Sequence, residues 1–207
     1  MLHRSKCARP GGSECRYSGR RARKTGAFGL DFSVPAPASP YRRNETPREP
    51  AMKFERVTLP EQPYMYVERA CPVAEIGQHM GTAFNELFDF FARHGIQPQG
   101  GPMAVYPSMP SADTVRFRCG ALVRAEDLGK GERMVQGGTL PEGPAMKTVH
   151  VGPYSTLNQT HGALWDHITA EDLDAAMPVW EIYIDDPQKT PEDDLRTEVY
   201  RALSEGR

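Results

Sequence analysis

A chain of 207 residues with 25 Lys+Arg against 27 Asp+Glu carries a formal charge of -2 and has room for one large domain or two small ones. At 39% apolar and 25% charged residues the composition is that of a soluble globular protein, and no apolar run approaches the roughly 20 residues of a membrane-spanning helix. Cys7, Cys15, Cys71 and Cys119 are too scattered for a zinc ribbon, a redox CxxC pair or a secreted disulfide framework, so the expected location is a reducing cytoplasm.

The small total charge hides a division. Residues 1–51 hold eleven basic and four acidic residues, +7, and the rest of the chain is at -9. Pro, Gly and Ser fill 16 of those 51 positions, with few large apolar residues and no period. Such a segment buries too little surface to offset its ordering entropy, and a disordered basic extension is expected. A twin-arginine signal needs an apolar stretch after Arg20-Arg21, which Lys24 and Asp31 interrupt. The Pro and Gly residues oppose an amphipathic transit peptide. A nucleic-acid-binding arm would need an aromatic or helical pattern beside its arginines. A solvated extension, such as an upstream translation start would add, is expected, because Met52 opens a well-patterned domain.

From Met52 onward an internal repeat stands out. Leu59-Pro60-Glu61-Gln62-Pro63-Tyr64-Met65 and Leu140-Pro141-Glu142-Gly143-Pro144-Ala145-Met146 agree at five of seven positions, at an offset of 81. The same offset pairs Pro72 with Pro153, Gln78 with Gln159, Gly81 with Gly162 and Phe84 with Trp165. Each unit is expected to start with a hairpin: Met52–Leu59 with Tyr64–Ala70, and Met134–Leu140 with Ala145–Val151. Pro72 and Pro153 then suit a first helical turn. Ile76, Met80, Phe84, Leu87, Phe88 and Phe91 form a helical stripe that Gly95 ends, and Leu157, His161, Leu164, Trp165 and Ile168 form a shorter one. Strands at Met103–Ser108 and Thr114–Val123, then Val179–Asp185 and Leu195–Leu203, complete the units. The fold class is α+β: two tandem strand-strand-helix-strand-strand modules, about residues 52–124 and 133–203, related by a pseudo-two-fold. Their helix-free sheet faces are expected to meet across a ligand cleft.

Val179-Trp180-Glu181-Ile182-Tyr183-Ile184-Asp185-Asp186-Pro187 is the most informative stretch. Alternation puts Glu181, Tyr183 and Asp185 on one face and Trp180, Ile182 and Ile184 on the other, which is expected to be the helix-covered one. Tyr106 aligns with Tyr183, and Ala104 occupies the place of Glu181. A single carboxylate flanked by tyrosines of both halves is therefore expected in the cleft, at a position where the fold itself does not demand a Glu.

Gly152-Pro153-Tyr154, Trp165, Trp180-Glu181-Ile182-Tyr183 with Asp186-Pro187, and Pro191 to Tyr200 resemble the GyrI-like small-molecule-binding family, which also supplies the effector-binding domains of AraC-type and MerR-type transcription activators. The resemblance spans about residues 52–203. It implies a duplicated module with a cleft between halves, lipophilic and often cationic or planar aromatic ligands, and a ligand-contacting strand glutamate, here Glu181. Arg201-Ala202 depart from the family's usual apolar residue and Pro. Glu181, Tyr183, Tyr106, Tyr66, Trp165 and Trp180 are the candidate ligand-binding residues.

Three functions are open. Ring faces attract cations by about 0.5–2 kcal/mol, which with a buried carboxylate suits a stand-alone protein that captures lipophilic cations. Hydrolysis of cyclopropane-containing natural products, known among similar sequences, would use Glu181 as general base and Tyr183 or Tyr106 as proton donor. A protein partner, gyrase or a regulator, is the third, on the strength of the -9 charge and the Glu192-Asp193-Asp194 run. No paired amphipathic helices precede residue 52, so direct DNA binding is not expected. No cofactor or metal is expected: His161 and His167 are six apart, and His161 is read as a core residue on the apolar stripe. Cys119 is read as a small buried residue.

Overall fold

The computed structural model describes residues 52–204 apart from Ala112. The expected disordered extension at 1–51 lies outside the described residues. Eight strands and two long helices follow one another as β1 (Phe54–Leu59), β2 (Gln62–Pro72), α1 (Ile76–His94), β3 (Pro102–Tyr106), β4 (Thr114–Leu122), β5 (Val135–Leu140), β6 (Gly143–Val151), α2 (Leu157–Ala170), β7 (Ala175–Tyr183) and β8 (Arg196–Leu203). Pro72 and Pro153 each cap a short 3-10 turn that leads into the helix, one step ahead of the first-turn position expected. Gly95 ends α1 in the left-handed region at φ 63°, its N–H bonded to the Phe91 carbonyl.

The expected hairpins do not form. β1 pairs with β6 and β5 pairs with β2, so each half lends its first strand to the other. The two residues between β1 and β2 are Pro60-Glu61. A two-residue hairpin turn needs positive φ at its first central residue, and proline holds φ near -65°. Pro141-Glu142 imposes the same restriction between β5 and β6. Both connections instead carry the chain from one half of the sheet to the other, with Leu59 opposite Gly143 and Gln62 opposite Leu140.

The result is one antiparallel sheet in the order β1-β6-β8-β7-β3-β4-β2-β5. Two facing sheets were expected; one continuous sheet forms because β3 and β7 hydrogen-bond at its centre, Ala104 opposite Glu181. Both helices lie on the same face. α1 sets Ala83, Leu87, Phe90 and Phe91 against Met65, Val67, Phe117 and Cys119. α2 sets Leu157, Leu164 and Ile168 against Met146 and Val199. Since cross-strand partners share a face, Glu181 is on the helix side: it pairs with Val199 and Ala104, and Ala104 with Cys119.

The helix-free face is dry as well. Tyr64, Tyr66, Met103, Val105, Leu140, Trp180 and Tyr200 cluster there, joined by Val57 and Leu59. Leu140 and Leu59 belong to the two outermost strands, so the sheet curls until its edges share one core. The right-handed twist of strands permits this curl.

Candidate ligand-binding cleft

α1 packs on β2 and β4 and α2 on β6, which leaves the central pair β3–β7 uncovered between them. A cleft of about 1210 Å³ opens there. Ile76, Met80, Phe84 and Phe88 of α1 form one wall, and Leu157, Asn158 and His161 of α2 face them. Tyr106, Val179, Glu181 and Tyr183 line it from the sheet, and Tyr154 comes from the turn before α2. The cleft thus lies between the helices above one sheet, and not between two helix-free sheet faces as the duplicated modules predict.

Glu181 sits at the centre and is only 3% exposed. Its neighbour on the same strand face, Tyr183, donates to Oε2 at 2.6 Å. Tyr106 of the facing strand donates to Oε1 at a longer 3.4 Å, and His161 Nε2 lies 2.7 Å from the same oxygen. A carboxylate only accepts, so Nε2 carries the proton of that bond. A carboxylate has roughly four lone-pair positions, which leaves one free after three donors. Burial first, and then the charge of Glu181, push the Tyr106 and Tyr183 phenols well above the ordinary tyrosine value, so both remain proton donors at neutral pH.

The aromatic lining is ordered edge to face. Tyr183 meets Tyr154 at 5.3 Å and Phe84 at 6.0 Å between ring centroids, with interplanar angles of 69° and 82°. Asp185 and Asp186, at the rim, are committed to Arg196 and Lys189. Arg116 and Arg118 both bind Glu68.

Of the six candidate ligand-binding residues, the structure brings Glu181, Tyr183 and Tyr106 together. Trp165 is 45% exposed, with the Arg201 guanidinium over its ring at 4.3 Å. Trp180 and Tyr66 face the other way, and this corrects the expectation that Trp180 points to the helix-covered face. Trp180 stacks on Tyr200 at 5.1 Å, and Tyr66 stacks on Tyr64 at 5.1 Å, both within the helix-free core. The face with helices on it is also the face with the cleft, because the helices stand apart.

Two residues escaped the sequence reading. His161 is not a core histidine; its position on the stripe matches Met80, and Met80 lines the cleft too. Arg201 also lines the cleft. Cys119 is buried as expected, and burial pushes its thiol up to about 12, which leaves it unreactive. Among the described residues no cluster of three His, Cys, Asp or Glu is placed to hold a metal, and no helix is long and apolar enough to cross a membrane.

One antiparallel sheet with two helices on one face and a cleft between them is an α+β architecture shared with a family of small-molecule-binding domains. The sequence profile of the GyrI-like small molecule binding domain matches residues 52–203, and the chain belongs to that family. Solved structures share the fold. The EcmrR C-terminal domain superposes with a TM-score of 0.63 at 16% identity, over 75% of this chain and 99% of that one. A hydrolase encoded by lin2189 from Listeria innocua gives 0.53 at 17% identity, over 73% of this chain and 92% of that one. SAV2435 bound to tetraphenylphosphonium gives 0.53 at 13% identity, over 74% and 94%. No curated protein matches the chain in sequence.

Proposed function

We propose that the cleft captures lipophilic aromatic compounds, cations among them, with Glu181 as the central polar anchor. The observation that carries this is a carboxylate 3% exposed at the floor of an aromatic cleft of about 1210 Å³, with one acceptor position left over. In such surroundings a charge is poorly screened, so a cation entering the cleft gains more from Glu181 than it would at an open surface. The rings of Tyr106, Tyr154 and Tyr183 add cation–π attraction of about 0.5–2 kcal/mol. The tetraphenylphosphonium bound by SAV2435, a lipophilic aromatic cation on the same fold, supports the choice of ligand class.

Hydrolysis of a strained ring is the second function, and one observation favours it. His161, Tyr106 and Tyr183 all meet one carboxylate, so a base and three hydrogen-bond donors, two of them phenols, stand within a single hydrogen-bonded group. Glu181 would take a proton from water as the water oxygen bonds to a cyclopropane carbon. The C–C bond breaks, and a tyrosine protonates the carbon released and is reprotonated from Glu181. The fold shared with a hydrolase of Listeria innocua is compatible with this chemistry.

One experiment separates the two. The full chain and its Glu181→Gln variant are mixed with a panel of lipophilic cations and cyclopropane-bearing natural products, binding is followed by Trp fluorescence, and each compound is then weighed by mass spectrometry. Saturable binding of unchanged compound, weakened in the variant, supports capture. Gain of one water with the wild type alone supports hydrolysis. Absence of any binding removes both.

A further inference from the structure

Arg201 of β8 lines the same cleft one step along the sheet from Glu181: Val179 pairs with Arg201 as Glu181 pairs with Val199. Glu181 and Arg201 are thus diagonal neighbours on adjacent strands, about 7–8 Å apart. Of the other charged cleft residues, Asp185 pairs with Arg196 and Asp186 with Lys189, and Glu181 is hydrogen-bonded to His161, Tyr106 and Tyr183. Among the described residues no carboxylate pairs with Arg201. Its Nε–H is buried with no hydrogen-bond partner, and burial draws the guanidinium below its ordinary pKa. What holds the side chain is soft: the Trp165 ring at 4.3 Å and the Met109 sulfur at 3.7 Å from Nη2.

The fold does not require a charge there. Val199 sits beside Glu181, and Cys119 sits beside Ala104, the residue facing Glu181 across the sheet centre. Two residues beyond Cys119, where the second half has Arg201, the first half has Ala121, fully buried. Arg201 and Glu181 thus form a pair of opposite charges in the cleft, each standing where the other half has alanine.

We infer that Arg201 recognises an acidic group, a carboxylate, sulfonate or phenolate, on the aromatic compound that the cleft binds. This rests on the reading of the cleft as a ligand site. A guanidinium carries its N–H donors in a planar array that fits the oxygens of an anion, and the groups that touch this one, the Trp165 ring and the Met109 sulfur, supply no negative charge. Acidic and zwitterionic aromatic compounds therefore belong to the ligand class, the latter with the cation at Glu181 and the anion at Arg201.

The test uses three compounds with one ring system and different heads: pyrenebutanoate, pyrenebutanamide and a pyrenebutyl-trimethylammonium salt. Each is titrated into the full chain, its Arg201→Gln variant and its Arg201→Lys variant, with energy transfer from tryptophan to pyrene as the readout. The wild type is expected to bind the carboxylate at least about tenfold more tightly than the amide. Arg201→Gln is expected to reduce that ratio to about twofold or less, and Arg201→Lys to retain part of it. Equal affinity for carboxylate and amide in the wild type overturns the inference and needs no variant. A preference that survives Arg201→Gln also overturns it. If the amide and the ammonium bind and the carboxylate gains nothing, only this inference falls; if none of the three binds, the cleft reading falls with it.

Discussion

Glu181 on β7 lies directly across from Ala104 on β3, and this pair joins the two halves of the sheet. The same place at the sheet centre is filled by a carboxylate on one strand and by a methyl group on the other, each almost wholly buried. Ala104 shows that the strand forms without the charge. Glu181→Gln is therefore expected to keep the fold, with a change in unfolding free energy within about 1 kcal/mol of wild type or a small gain, because removing a buried charge relieves desolvation. Urea unfolding followed by circular dichroism measures it. A loss of several kcal/mol would make Glu181 a structural residue and leave the cleft without its anchor.

Gly81 stands inside α1 and lines the cleft, and a Cβ built there meets nothing within 4 Å. Glycine within a helix costs about 0.5–1 kcal/mol relative to alanine. Gly81→Ala is expected to raise stability by that amount and to weaken ligand binding, because the added methyl enters the cleft. Thermal melting and a titration on the same sample give both values. Higher stability with unchanged affinity would show that ligands do not approach α1 at this turn.

Trp180 is 2% exposed in the core behind the sheet. Trp180→Ala is expected to destabilise by about 3–5 kcal/mol through the cavity it leaves. Trp180→Phe, which keeps most of the stack on Tyr200, is expected to leave ligand affinity unchanged. A loss of affinity in a well-folded Trp180→Phe protein would return this side chain to the list of ligand contacts.

Buried tyrosines make the alkaline limb steep. Tyr106 and Tyr183 are raised well above the ordinary value by burial and by Glu181, Tyr200 is raised to about 12 and Tyr64 is raised as well. Above about pH 10 the unfolded chain releases phenolic protons that the folded chain keeps, so stability is full below that pH and falls as pH rises. Each phenol adds a slope of up to about 1.4 kcal/mol per pH unit. Tyr183→Phe is expected to unfold less steeply between about pH 10 and 12, as followed by phenolate absorbance and circular dichroism. Identical slopes would place Tyr183 in water.

Much of this was legible in the sequence, and the failures have local causes. Alternation correctly put Glu181 and Tyr183 together, and the offset between halves correctly brought in Tyr106. Neither pattern says where helices stand above a sheet, so the cleft face and the core face were exchanged and Trp180 and Tyr66 were misplaced with them. Strand positions were visible, but the partner of β1 is β6, and no local signal shows that Leu59 meets Gly143. Pro60 and Pro141 held the missing clue, since neither can start a two-residue hairpin turn. His161 was hidden by its own stripe, because a helix that borders a cleft turns one edge of its apolar face to the ligand. Arg201 was noticed as an irregularity of the last strand; only the register with Val179 places it beside Glu181.

The central claim is that the cleft binds aromatic cations through Glu181, and calorimetric titration of the full chain with tetraphenylphosphonium, wild type beside Glu181→Gln, tests it most directly. Saturable binding by the wild type and a loss of at least about tenfold in the variant, 1.4 kcal/mol or more, is the expected result. Equal affinities in the two proteins, or no binding by a folded wild type, would contradict it.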